Sequence, residues 1–316
     1  MQRVNSNSDE KDYGVHTLSQ DAVAPSVKPP LWAGCLPLLL LPAAPIVFRD
    51  RMVPWVFMWT LSFALFAGLK WMTWWQARSF ITHTAARSAA YMFAWPGMDA
   101  AAFLDSGRHP QSPRTSEWLW AATKTALGIA LLWFVARQIP AQQALLRGWI
   151  GLFGLIFLLH FGSFHLIALF WQSVGIEAQP IMQQPILARS LSEFWGKRWN
   201  LGFRQLAHEF VFRPAQRVFG ATAAGLLVFL VSGLIHDMVI SLPARGGYGL
   251  PTAYFLLQGL AVVFERSDFA SRIGLRRALP VRFFAWIIAA APAFWLFHPP
   301  FVMRVILPFM HAIHAL

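Results

Sequence analysis

A histidine near the end of an apolar run is the first residue of this sequence that suggests chemistry. His236 lies in the run VFLVSGLIHD, which begins at Val228. An ionisable side chain inside a segment of bilayer length is costly to bury, so it indicates a functional site. Ser232 and Gly233, four and three residues earlier, share its face on a helix. We expect Ser232 to fix the imidazole tautomer and Gly233 to leave room for a substrate chain.

The residues around His236 also allow a simpler interpretation, in which a neighbouring helix satisfies the imidazole and no chemistry follows. Asp237 comes next in the chain but projects from another face of the helix. His160 and His165 lie in a different apolar run, five residues apart, which favours core or lumen-lining roles. Zinc requires three or four convergent ligands, and the spacing of these histidines does not supply them. We therefore predict no metal site.

A charged and tryptophan-rich segment, Ser190–Arg217, precedes the histidine helix. It reads SLSEFWGKRWNLGFRQLAHEFVFRPAQR. Glu193 lies in the opening turn, and Trp195, Trp199 and Phe203 recur every four residues. This spacing predicts one amphipathic helix whose aromatic face contacts lipid or protein.

The cations of this segment suggest a binding face for a phosphorylated donor, because Arg and Lys pair well with phosphates. The candidates are Lys197, Arg198 and Arg204. The alternative is a helix that anchors the cytoplasmic side of a membrane protein through its positive charge. Asn200 has no such role in orientation. An amide among aromatic residues can hydrogen-bond a carbonyl or orient a catalytic partner.

The composition indicates an integral membrane protein. The 316-residue chain is 57% hydrophobic and 13% charged, whereas soluble domains contain about 25% charged residues. Apolar runs of about 18 or more residues recur along it. We therefore predict an all-α fold, a polytopic bundle of about eight transmembrane helices. The segments Lys70–Glu117 and Gln172–Val218 mix aromatic and charged residues, which predicts amphipathic cytoplasmic elements against the membrane domain.

The spans can be drawn from the apolar runs, after a polar stretch, residues 1–30, that predicts a disordered cytoplasmic tail. The first span contains three prolines, which predicts a kinked, re-entrant or interfacial segment. The eight predicted spans are Leu31–Phe48, Val53–Leu69, Trp118–Val135, Trp149–Trp171, Phe219–Ile240, Pro251–Phe264, Phe283–Phe297 and Phe301–Leu316.

The distribution of positive charge predicts the orientation in the membrane. With the N-terminus in the cytoplasm, nineteen of the 26 Lys and Arg residues fall on the cytoplasmic side and five on the opposite side. Lys and Arg collect in cytoplasmic loops, so both termini are predicted to be cytoplasmic. The net charge of +12 is then explained by topology, and we expect no nucleic-acid partner.

Four short segments together resemble a known family. SLSEFWGKRWN (190–200), FRP (212–214) and VSGLIHD (231–237) are similar to motifs of the wax synthase branch of the membrane-bound O-acyltransferases. AWPGMDAAAFL (94–104) is similar to an upstream W-P-G-M-D element of bacterial wax-synthase-like proteins. The resemblance extends from about residue 90 to 265. Many members have Glu after the histidine, where this chain has Asp237.

The resemblance implies one membrane-embedded acyltransferase domain, residues 31–316, built as a helical bundle around a tunnel. It implies ester formation from acyl-CoA and a long-chain or other lipophilic alcohol, with no cofactor besides acyl-CoA as substrate. His236 would be the general base, and Asn200 its partner or the donor to the oxyanion. The CoA phosphates would lie near the three cations named above and Arg213. The supporting residues would be Ser232, Gly233, Asp237, Trp195, Trp199 and Glu193.

Several points stay open at this level. The acceptor could instead be diacylglycerol, a sterol or another lipid alcohol. A non-catalytic transporter or lipid-binding protein, with His160, His165 and His236 along a path, is the rival of another class. His236 also lies 17 residues after Phe219, about 25 Å along a helix, so a CoA thioester needs a tunnel to reach it. The W-P-G-M-D element suggests a bacterial inner membrane.

Overall fold

The regular secondary structure in the described part of the chain is helical. A computed structural model describes residues 30–275 and 277–316, and these contain helices and no strand. The predicted tail lies outside the described residues, apart from Pro30. The helices are α1 Leu31–Val47, α2 Pro54–Ala77, α3 Ala85–Ala94, α4 Ala100–Leu104, α5 Thr115–Gln138, α6 Ala141–Ser173, α7 191–198, α8 Leu201–Ala244, α9 Leu250–Arg266, α10 Asp268–Arg272, α11 Leu279–Leu296 and α12 299–312.

Five helices are long and apolar enough to cross a membrane, namely α2, α5, α6, α8 and α11. They confirm the prediction of a polytopic membrane protein built from helices. Helices α1 and α9 have 17 residues each, about 26 Å of helix, somewhat less than the roughly 30 Å of a hydrocarbon core. The number of eight spans therefore stays a prediction. Helix α1 continues through all three of its prolines, Pro37, Pro42 and Pro45.

Helix α2 extends beyond its predicted end and changes the interpretation of Lys70. The helix ends at Ala77 rather than Leu69, so Lys70 belongs to it and not to the cytoplasmic loop that the charge count assumed. Its side chain is fully buried. The Nζ donates to the Gly97 carbonyl at 2.8 Å and lies 3.1 Å from the centre of the Tyr91 ring. Lys70 thus holds the W-P-G-M-D element against the helical bundle.

Helices α8 and α9 approach each other closely where Gly233 faces Thr252. A Cβ on Gly233 would lie 2.6 Å from the Cα of Thr252, which is closer than any such contact in a folded protein. Small residues at helix crossings allow this approach in membrane bundles. Gly233 does not line the cavity described below. The prediction that it makes room for a substrate chain is wrong, because the room is taken by the neighbouring helix.

The segments between the long helices pack on the bundle. Helices α3 and α4 bury Tyr91 and Phe103 completely, and Phe103 meets Trp171 of α6 edge-on, with ring centres 5.3 Å apart. Helix α7 buries Leu191 and Phe194 against alanines of α9 and α11. These contacts fix the segments between the long helices, which carry several of the candidate site residues.

Candidate active site

His236 is held in one orientation by the backbone of its own helix. Its Nδ1 lies 2.6 Å from the Ser232 carbonyl oxygen. A carbonyl only accepts, so Nδ1 carries the proton and donates it. The Nε2 of the neutral ring is then left with a free lone pair. The predicted role of Ser232 in fixing the tautomer is therefore served by its backbone carbonyl, while its hydroxyl donates to the Val228 carbonyl at 2.8 Å.

One cavity of about 250 Å³ contains both His236 and Asn200 in its lining. The ring of Phe255 lies against the imidazole, with ring centres 4.4 Å apart. Phe255 and Arg266 also line the cavity, and they are eleven residues apart on α9, about 16 Å. The remaining lining residues are Ser192, Trp195, Gly196, Trp199, Phe203, Arg204, Ala207, His208, Phe212, Gly225, Val228, Phe229, Ser232 and Val262.

The cavity bears on how a substrate could reach His236, which the sequence predicts to lie deep in the membrane. Gly220, with φ 79° and ψ 169°, interrupts α8, so the regular helix that carries His236 starts after that residue rather than at Phe219. The cavity extends along α9 from the imidazole to Arg266, the last residue of that helix. The lining of this cavity therefore connects the imidazole with the end of α9.

The predicted amphipathic helix is interrupted just before Asn200. Helix α7 ends at Arg198, Trp199 is extended, and α8 begins at Leu201. The prediction of one continuous helix through Trp195, Trp199 and Phe203 is therefore wrong. Trp195 and Trp199 instead contact each other, with ring centres 6.3 Å apart, and both line the cavity. Their aromatic face is turned to protein.

Asn200 occupies the break and has two structural features. Its backbone is left-handed, with φ 43° and ψ 61°, and its Oδ1 accepts the Phe203 N–H at 3.2 Å as the cap of α8. Asn tolerates this backbone region and is a preferred capping residue. The cap uses only the carbonyl oxygen of the amide. The Nδ2 group remains a donor on a side chain that lines the cavity.

Of the four predicted phosphate-binding cations, only Arg204 lines the cavity of His236. Lys197 and Arg213 are exposed elsewhere. Arg198 is ion-paired with Glu193 at 2.7 Å and donates to the carbonyls of Gln183 and Gln184. Arg198 therefore braces the loop before α7, and the structure does not gather the four cations at one place.

Glu193 is a structural residue of α7. Its backbone N–H donates to the hydroxyl of the N-cap residue Ser190 at 3.0 Å, and its Oε2 accepts the N–H of the preceding residue, Arg189, at 2.8 Å. The Arg189 N–H and then the Arg198 guanidinium hold the pKa of the Glu193 carboxyl below its usual range. The ionised Glu193 carboxylate therefore stabilises the fold fully at pH values above the pKa of an unfolded glutamate. This stabilisation is lost as the pH falls through the lower pKa of the folded protein.

The comparisons with known proteins converge on the same stretch of chain. Residues 178–257, which include Asn200 and His236, match the model of the membrane bound O-acyl transferase family. The predicted resemblance to the wax synthase branch of this superfamily is confirmed. The chain is 34% identical to the probable long-chain-alcohol O-fatty-acyltransferase 7 of Arabidopsis thaliana, over 41% of this chain and 42% of that protein.

Two further relatives differ in the acceptor that their names state. The long-chain-alcohol O-fatty-acyltransferase of Simmondsia chinensis is 28% identical over 41% of this chain and 40% of its own. The acyl-CoA–sterol O-acyltransferase 1 of Arabidopsis thaliana is 32% identical over 20% of this chain and 21% of its own. The aligned part spans about two fifths of the length of the first of these relatives.

Asp237, where many wax synthase-like proteins have Glu, fastens the end of the histidine helix to α9. Its Oδ1 accepts from the Ser241 hydroxyl at 2.7 Å and from the Gly249 N–H at 2.9 Å. Its Oδ2 accepts from the Thr252 N–H at 3.1 Å and from the Thr252 hydroxyl. The carboxylate thus caps the first turn of α9, the helix that places Phe255 on His236. The helix containing Asp237 is widened into a π turn over Asp237–Ser241.

Replacing Asp237 with alanine is expected to destabilise the protein by about 3 kcal/mol, because hydrogen bonds to a charged acceptor are worth roughly 1.5–3 kcal/mol and their donors would be left unpaired. Thermal unfolding in detergent measures it. The matched control is Asp50→Ala, which removes an exposed carboxylate paired with Arg245 at 2.8 Å. That surface pair contributes about 0–1 kcal/mol. Equal melting temperatures for the two variants would show that the Asp237 contacts do not fasten the helices.

Three residues that complete the site were missed by the sequence interpretation. Phe255 has no local signal among 28 phenylalanines. Gln258 is fully buried, accepts from the Trp195 indole N–H at 3.2 Å and donates to the Ile288 carbonyl at 2.7 Å. Glu265 accepts the backbone N–H groups of α7 at Leu191 and Ser192. An amide and a carboxylate near an apolar run were signals that could have identified the last two.

Proposed function

We propose that the protein is an O-acyltransferase that transfers a fatty acyl group from acyl-CoA to a long-chain or other lipophilic alcohol. The observation that supports this proposal most strongly is that His236 and Asn200 line the same cavity. The Nδ1–H of His236 donates to the Ser232 carbonyl, which leaves Nε2 to act as the base. The family match over 178–257 and the names of the relatives support the same activity.

The proposed reaction needs one base and one oxyanion donor. The Nε2 of His236 takes the hydroxyl proton as the alcohol oxygen attacks the thioester carbonyl carbon. The negative charge that develops on the carbonyl oxygen is met by the Nδ2–H of Asn200. When the tetrahedral intermediate collapses, the C–S bond breaks and His236 returns its proton to the CoA thiolate. The products are the ester and free CoA, with no covalent enzyme intermediate.

The lining of the cavity suits these substrates. Trp195, Phe229 and Phe255 provide an apolar wall for acyl and alkyl chains. Arg204 lies in the same lining, and a guanidinium pairs well with phosphate oxygens. Because one of the relatives is named as a sterol acyltransferase, a sterol is the second candidate acceptor. The absence of a tunnel between the basic segment and His236 would have favoured the transporter alternative. The cavity is lined by both Arg204 of that segment and His236, which argues against that alternative.

The membrane placement completes the proposal. We infer that α1, α9 and α12 also lie within the bilayer, for about eight spans with both termini in the cytoplasm, as the charge distribution predicts. The CoA end of the donor would then enter from the cytoplasmic side. The bacterial inner membrane remains a proposal from the W-P-G-M-D element, and the relatives named above are plant proteins.

Purified protein in nanodiscs, supplied with labelled long-chain acyl-CoA, tests the activity. Hexadecanol, cholesterol and diacylglycerol are offered separately and together, and products are separated by thin-layer chromatography. We expect protein-dependent wax ester with hexadecanol, at a rate above that with the other two acceptors. Folded protein that forms no ester from any acceptor would refute acyl transfer, and sterol ester as the main product would refute the proposed acceptor.

A further inference from the structure

A second large cavity has Arg198, two residues before Asn200, in its wall. It has a volume of about 640 Å³ and shares no lining residue with the cavity of His236. Its wall includes Glu117, Trp120 and Lys124 of α5, His165 of α6 and Arg198 of α7. Its size is within the roughly 300–1,000 Å³ of ligand sites in proteins. The proposed acyl transfer uses none of its α5 and α6 residues.

The polar groups on α5 and α6 are arranged as hydrogen-bond donors. The Lys124 Nζ lies 2.8 Å from the His165 Nδ1. An ammonium only donates, so Nδ1 accepts, and the proton of the neutral imidazole is on Nε2. The pair therefore offers two remaining ammonium N–H groups and one imidazole N–H. These N–H groups of Lys124 and His165 would be satisfied by a ligand with several acceptor oxygens, and the positive charge of Lys124 favours an anionic one.

The charge balance supports the same conclusion. Within the described residues, no carboxylate lies within 4.0 Å of the Lys124 ammonium. The only carboxylate in the wall, Glu117, uses its Oε2 to accept the Arg114 N–H at 2.8 Å. A cation inside a membrane-spanning helix requires a partner, because an uncompensated charge is costly there. The Lys124 ammonium contacts His165 and lies 5.7 Å from the centre of the Trp120 ring, and neither of these groups is an anion.

The position of the cavity points to a lipid as the source of the anion. Leu119 and Trp120 are 65% and 55% exposed on a membrane-spanning helix, where exposed apolar residues face lipid. Trp120 also lines the cavity. Lys124 is nine residues into α5, about 14 Å from its start, and its side chain is long enough to extend toward the interface. Ser116 and Glu117, at the start of α5, also line the cavity, so it extends from Lys124 to the end of this spanning helix, where lipid headgroups would lie.

We propose that this cavity binds the phosphate group of an anionic membrane phospholipid through Lys124 and His165. The phosphate oxygens accept from the free N–H groups of the pair, and the acyl chains lie along the exposed face of α5. Arg198, on the wall of the same cavity, is two residues from Asn200. The bound lipid would therefore lie beside the loop that positions the oxyanion donor.

Lipid retention measured by native mass spectrometry tests the site without using catalysis. Wild type, Lys124→Met and Arg282→Met are released from nanodiscs of phosphatidylcholine containing phosphatidylglycerol. Arg282 is an exposed cation of another spanning helix that lines neither cavity, so it controls for loss of charge. We expect one phosphatidylglycerol retained by wild type and Arg282→Met, and at least about fivefold less by Lys124→Met. Lys124→Gln replaces Lys124→Met if the latter does not fold.

Three outcomes would overturn the proposal. Lys124→Met could retain as much phosphatidylglycerol as wild type, or wild type could retain phosphatidylcholine equally well. In a parallel arm, CoA and inorganic phosphate are titrated against thermal unfolding in phosphatidylcholine nanodiscs. Stabilisation through Lys124 by either of these, without retention of phosphatidylglycerol, would assign the site to a soluble phosphate. An inactive protein that still binds the lipid would refute only the proposed acyl transfer.

Discussion

Replacing His236 with alanine is expected to lower kcat for ester formation by about 10²–10⁴-fold, the usual contribution of a positioned general base. The Ser232 carbonyl holds the Nδ1 proton at 2.6 Å and so presents the Nε2 lone pair. Without the imidazole, the hydroxyl proton loses the acceptor that this contact orients. Labelled acyl-CoA and a saturating fatty alcohol, in nanodiscs, give kcat directly.

Two matched variants separate catalysis from packing. His236→Gln keeps an amide N–H that can donate to the Ser232 carbonyl but supplies no base, so it is expected to be as inactive as alanine. His311→Ala removes an exposed histidine that lines neither cavity, and it is expected to retain wild-type activity. If His236→Gln kept more than about a tenth of wild-type kcat, a general-base role worth at least 10²-fold would be excluded.

The membrane class could be predicted because lipid constrains every residue of a span. Long apolar runs identify the spanning helices regardless of how the helices pack, so composition and periodicity were sufficient. The same patterns do not predict which side chains pack against each other. Lys70 looked like one more cytoplasmic cation, and only the structure shows it buried against Tyr91 and Gly97. A local sequence pattern does not reveal a partner that is 27 residues away.

The site was predicted in its key residues but not in the way that they are held. His236 and Asn200 lie in the lining of one cavity, although 36 residues separate them. The face-sharing rule correctly related Ser232 to His236, yet the contact uses the backbone carbonyl, which every residue type has. Gly233 could not be assigned because a missing side chain fits a substrate and a close helix equally well. The break at Trp199 and Asn200 was hidden by the regular aromatic spacing across it.

Asn200 is expected to contribute about 10²–10³-fold to kcat, the range for one donor to an oxyanion. The alternative is that it only caps α8 and accommodates the left-handed backbone at φ 43°. Asn200→Asp distinguishes these roles, because aspartate is an equally good cap and also tolerates that region. It lacks the Nδ2–H donors. We expect it to fold like wild type, with its melting temperature little changed, while kcat falls by the full factor.

Asn200→Gly completes the comparison without adding a negative charge. Glycine accepts the left-handed backbone and costs only a few tenths of a kcal/mol as a cap, so kcat is again expected to fall by about 10²–10³-fold with KM for acyl-CoA nearly unchanged. A loss confined to kcat is typical of an interaction made only in the transition state. His314→Gly, at another left-handed residue, φ 53°, outside both cavities, controls for the backbone change. Wild-type kcat in Asn200→Asp would assign this residue to capping, and the oxyanion donor would then have to be another group in the cavity of His236.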